Sequence, residues 1–315
     1  MNNNFIMTNG TMNGMDTFAD TIKAAMELCY GDDVKVVVHD VKKNNDVIYK
    51  GLTIVKSDCN ITPTIYLEAY YAEYMKGNSM ENICKEIMDV YEMHSVEHDF
   101  DITLVTDFNK AKDNICFKVI NVEKNEDLLK TIPHKMFLDL AIVFYVDLSN
   151  TEVENGTVLV QNHFLNIWKD VDTDMLYELA LANTQRMHHG RVSSMLSVFS
   201  EIFDEVDSEE FFDLPLVEDV PMYIATNVQK VLGAAIILYD GILKAFAERI
   251  GGDFYILPSS THEVLFVPVT CGMDVAYLRQ MVYEVNATEI TEEEFLSNNV
   301  YYYNMDTDRM VIAQP

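Results

Sequence analysis

Residues 233–268 read GAAIILYDGILKAFAERIGGDFYILPSSTHEVLFVP, and this stretch sets the fold class. An apolar run over 233–239 predicts a strand. The segment 240–250 then shows helical spacing of apolar residues, and Gly251-Gly252 supplies its stop. Two further apolar runs, 253–258 and 262–268, flank the polar turn Pro258-Ser259-Ser260-Thr261-His262-Glu263 and predict a hairpin. Strands that come in adjacent pairs, with helices set between the pairs, indicate antiparallel sheets. The expectation is an α+β fold of mainly antiparallel sheets with packed helices, in two sub-domains.

Outward from that stretch the same pattern recurs. A strand near 222–226 precedes it, and a helix over 274–286 and a hairpin of Val300–Tyr303 with Arg309–Ala313 follow it. Toward the N-terminus, a helix is expected from Asp16 to Tyr30, with Phe18, Ile22, Ala25, Met26 and Cys29 on one face. Val34–Val41 and Val47–Lys56 read as a hairpin turning at Asn44-Asn45-Asp46, and Pro63–Leu67 as a third short strand or helix entry. A tyrosine-rich helix follows, and Ser79 then caps a helix whose stripe is Met80, Ile83, Ile87, Val90 and Tyr91. Ile115–Val122 and Phe137–Leu148 predict strands, with Thr157–Gln161 pairing onto the second. Asp172 or Thr173 opens a helix through Asn183, and another helix is expected from Arg191 to Val206. Residues 1–14 are expected to form a disordered extension, with regions over 15–130, 131–215 and 216–315.

Composition bounds the function. Hydrophobic residues make up 49% and charged residues 23% of 315, which suits a globular chain with a sizeable core. Fifty-one acids against 22 bases give a net charge of −29, so phosphate backbones are repelled and direct nucleic-acid binding is not expected. Residues 192–229 carry no lysine or arginine and mark an acidic face or linker. No run is apolar enough for a membrane span, and the N-terminal residues lack the pattern of a secretory signal. The five cysteines are scattered, with Cys84 and Cys116 at apolar positions, which fits a reducing cytoplasm.

Three places carry chemistry-bearing residues. Ser259, Ser260, His262 and Glu263 can in principle set a hydroxyl beside an imidazole, the arrangement of a hydrolase of unfamiliar type. On a strand, however, Ser260 and His262 share a face that Glu263 does not. His94-Ser95-Val96-Glu97-His98 matches the inverted zinc-protease pattern, in which His94 and His98 would share a helix face. Its place at a helix end, where Asp99-Phe100-Asp101 leads the chain away, favours exposed histidines at the negative dipole terminus over a zinc site. His188-His189 reads as helix-end capping. No phosphate-cradling glycine loop is present and no cofactor is expected.

Several segments together resemble a known family: Asn44–Lys56 (NNDVIYKGLTIVK), Pro63–Leu67 (PTIYL), Phe137–Tyr145 (FLDLAIVFY), Leu176–Asn183 (LYELALAN) and above all 233–268. The chain is similar over about 16–304 to the uncharacterised bacterial family called domain of unknown function 5688, found in gut anaerobes and on their mobile elements. That resemblance implies a bacterial, cytoplasmic protein and transfers no catalytic residue. The expected role is non-enzymatic: binding a protein partner, for which a basic one matches the charge. The alternative is hydrolysis at the Ser259–Glu263 turn.

Overall fold

Among the described residues, three α-helices, a short 3-10 helix and a three-stranded antiparallel sheet build the first of two units, which runs to Lys43 and again over Val47–Asp101. The structure is a computed structural model, and it describes residues 14–56, 59–96, 99–151, 153, 156–195, 197 and 222–314. Helix α1 (Met15–Tyr30) buries Phe18, Ile22 and Met26, spaced four apart and therefore stacked on one face. Cys29, expected on that face, is exposed instead, because the stripe has rotated past it by the last turn. Strands β1 (Val34–Lys42) and β2 (Ile48–Lys56) pair antiparallel from Val34↔Lys56 to Lys42↔Ile48, and β3 (Thr64–Tyr66) joins β2. Helices α2 (Glu68–Met75) and α3 (Met80–His94) complete the unit. Ser79 caps α3 by accepting from the Asn82 N–H at 3.2 Å. Leu52, Ile54, Leu67, Ile83 and Ile87 are fully buried with the α1 stripe, each contributing about 1.5–3 kcal/mol of apolar burial.

The second unit comprises Asn44–Asp46 and Ile102–Pro315. One of its sheets orders β4 (Ile115–Asn121), β6 (Leu140–Asp147) and β5 (His134–Phe137), with β7 (Thr157–Leu159) also on β6. All eight residues of β6 are buried. Phe137–Leu148, expected as one strand, is therefore a hairpin. Leu138 takes a positive φ of 55° and reverses the chain between β5 and β6. The Thr173–Met187 helix packs against β4 and is capped by Asp172, which accepts from the Met175 N–H at 2.9 Å.

The other sheet orders β13 (Arg309–Ile312), β12 (Tyr301–Asn304), β10 (Phe254–Leu257), β11 (Val264–Pro268), β9 (Tyr223–Asn227) and β8 (Gly190–Ser194). Every pairing among the described residues is antiparallel, so the fold is α+β as expected. The Ile242–Ile250 helix plants Phe246 among Tyr223, Phe254 and Phe266, at centroid distances of 5.0, 4.8 and 4.9 Å. The Val275–Thr288 helix buries Leu278 and Val282 with Leu257 and Val267.

Two further expectations are corrected. Gly233–Leu238 is a 3-10 helix and not a strand. It packs against β9 and β4, so its apolar residues are buried all round and the run carries no periodicity to betray its type. Gly233 begins it in a space that admits no side chain: a Cβ would lie 2.1 Å from Thr226 Oγ1 and 2.5 Å from the His262 carbonyl oxygen. The helix expected from Arg191 is displaced by β8, whose edge pairing with β9 claims those residues. Apart from Met195 and Ser197, the rest of that helix lies outside the described residues, as do most of the acidic stretch and residues 1–13 of the extension. β4 pairs with β6 across residue 130, and β8 pairs with β9 across residue 215.

Candidate functional site

β4 and β6 set Cys116 directly opposite Tyr145. Directly paired residues share a sheet face, and Asp147, two residues on, projects from it as well. The C-terminus of the Thr173–Met187 helix delivers His188 to the same place, and the Tyr239 hydroxyl anchors it by donating to the His188 carbonyl at 2.9 Å. One ligand atom each from Cys116, Asp147 and His188 lies within 4.8 Å of the other two. His188 Nε2 donates to Asp147 Oδ2 at 2.9 Å, and the Tyr145 hydroxyl lies 3.4 Å from the same nitrogen.

Burial governs the electrostatics of this group. The His188 and Asp147 side chains are 14% and 5% exposed, and Cys116 is fully buried. Burial pushes the Asp147 carboxyl up, yet hydrogen bonds from His188 and Ser149 outweigh it and hold the group below the usual carboxylate range. For the Cys116 thiol, burial pushes the pKa up to about 12, the charge on Asp147 adds to the rise, and Thr184 pulls against it. Burial likewise raises Tyr145, helped by Cys116 and Asp147. A thiol so raised stays protonated at neutral pH and is no nucleophile by itself. His188 Nδ1 is buried without a hydrogen-bond partner, a deficit of roughly 1–3 kcal/mol for such a group. Thiol, carboxylate and imidazole are together the donor types that hold a zinc-class cation.

The turn that the sequence singled out is built differently. Ser260 Oγ accepts from the His262 N–H at 3.0 Å, and the Ser260 N–H donates to the Glu263 carbonyl at 3.3 Å. His262 Nδ1 accepts from the Leu232 N–H at 3.2 Å, while Nε2 faces Glu294 Oε1 at 3.5 Å. Both imidazole nitrogens are thus directed away from the serine hydroxyls. Ser259 is half-buried with its N–H on the Leu257 carbonyl, and the Glu263 residue is half-buried one step beyond His262. The turn has the bonding of a self-satisfied loop.

His94 is exposed at the last residue of α3, and Glu97 and His98 lie outside the described residues. His189 Nδ1 meets the Gln185 carbonyl at 3.0 Å, the helix-end capping expected of it. His188 was expected to do the same and instead turns inward to Asp147. Cys116, Asp147 and Tyr145 escaped notice because they sit on separate strands within apolar runs. One signal was present: Tyr145 and Asp147, spaced two apart, put polar groups on one face of an otherwise apolar strand.

Fold and site define a two-unit α+β protein with antiparallel sheets and a buried thiol–carboxylate–imidazole cluster. The chain belongs to a family of unknown function (DUF5688), whose model matches residues 15–305. No curated protein and no solved structure matches it. No helix among the described residues is long and apolar enough to cross a membrane.

Proposed function

We propose that the protein works by binding a basic protein partner through its acidic surface, in a bacterial cytoplasm and in the service of the cell or its mobile elements. The observation that carries this is the net charge of −29, from 51 acids against 22 bases. Asp16, Asp127, Asp174 and Glu292 stand 66–84% exposed but pair with Lys50, Lys130, Lys135 and Lys124, so the field that steers an oppositely charged partner comes from the acids in excess of the bases. Five free cysteines suit a reducing compartment. The bonding of the Ser260 hydroxyl and the His262 imidazole favours this role over hydrolysis at that turn.

The test is capture of partners from a native bacterial lysate on the untagged, immobilised chain over a range of ionic strength. A single basic protein held at low salt and released as salt rises is the expected result, because screening shortens the reach of exposed charge. Capture of no specific basic protein at any ionic strength contradicts the proposal.

A further inference from the structure

We propose that Cys116, Asp147 and His188 form a binding site for one divalent cation of the zinc class, whatever partner the protein binds. The three ligand atoms lie within 4.8 Å of one another. Around a tetrahedral zinc with bonds of about 2.0–2.3 Å, ligand atoms stand roughly 3.3–3.8 Å apart. Closing the wider separations, and opening the 2.9 Å His188–Asp147 contact, therefore takes side-chain shifts of about an ångström.

Charge favours the same conclusion. A thiolate and a carboxylate carry two negative charges, and a divalent cation cancels both, so the buried group ends neutral. Coordination deprotonates a thiol outright, so the protonated state of Cys116 is no barrier. Sulfur among the donors disfavours magnesium and calcium and selects a softer ion.

The fold supplies the support that such a site needs. Strand register fixes Cys116 against Tyr145, the Ser149 N–H holds Asp147 Oδ1 at 2.8 Å, and Tyr239 holds the His188 backbone at 2.9 Å. Outer partners of this kind orient metal ligands and raise affinity. With three protein ligands, the fourth position goes to water, reached along the 14% of His188 that is exposed.

Cobalt(II), a spectroscopic stand-in for zinc, tests the proposal on the full chain without a histidine tag. One equivalent per chain is expected, with thiolate-to-cobalt charge-transfer absorption that added zinc abolishes. Cys116→Ser should remove that absorption, and His188→Gln should weaken cobalt binding by at least the ~10–100-fold that changes to a site's outer partners cost. Cys29→Ser and His94→Ala should leave both unchanged. Should Cys116→Ser fail to fold, the wild-type spectrum and His188→Gln decide the matter. Cobalt bound without the thiolate band, or with affinity untouched by His188→Gln, would mean adsorption to surface carboxylates and would overturn the site.

Discussion

Two histidines of the second unit each face a carboxylate, and they differ in depth. His262 lies 3.5 Å from Glu294 with 33% and 40% of the two side chains exposed; His188 lies 2.9 Å from Asp147 with 14% and 5% exposed. In the first pair water competes for the contact, and nearby backbone groups complete the bonding of the turn. In the second the low dielectric strengthens the bond that is made and raises the cost of any that is not. Residues crowded together in sequence here satisfy one another, whereas the reactive donor set comes from three elements far apart in the chain.

Removing one member of the deep pair should have the largest effect. Asp147→Ala leaves His188 without its acceptor and should lower unfolding free energy by about 3 kcal/mol, measured by urea titration. Glu294→Ala in the same assay should cost less than about 1 kcal/mol. Equal losses would break the contrast between the pairs.

Next in size is the packing beneath the shallow pair. Gly233→Ala would drive a Cβ against Thr226 Oγ1, the His262 carbonyl and the Asn227 nitrogen, two of which are backbone atoms that cannot rotate aside. A loss of about 1–3 kcal/mol is expected. A neutral substitution would show that the His262 turn sits less tightly on its neighbours than described.

Much of the fold was legible from sequence, and the reasons are local. The β1–β2 hairpin announced itself through β-branched runs about an Asn-Asn-Asp turn, where Asn45 and Asp46 take the left-handed φ of 59°. Ser79 and Asp172 were recognisable caps because a cap bonds within its own first turn. Gly233–Leu238 was not legible, since a short run buried on all sides looks alike as strand or as helix. β5 was hidden because Leu138, an unusual residue for a positive φ, makes the turn after it. The cluster at Cys116 was the least legible, because strand pairing and helix docking create it and no local spacing records either.

The smallest effect comes from a carboxylate outside both pairs. The Tyr302 hydroxyl and the Met305 N–H hold Asp253 below the usual carboxylate range. Its folded value is depressed, so the stability it adds is complete above about pH 4 and drains as pH falls through that folded value. Asp253→Asn should therefore destabilise the protein at neutral pH, with the difference from wild type shrinking as the solution is acidified below pH ~4. A difference that stays constant with pH would assign the effect to packing and not to charge.

The most direct test of the contrast is a pair of double-mutant cycles, Asp147 with His188 and His262 with Glu294, each read by urea unfolding. The structure predicts a coupling of about 2 kcal/mol or more for the buried pair and below about 1 kcal/mol for the exposed one. Couplings of equal size, or a larger one for His262 with Glu294, would contradict it.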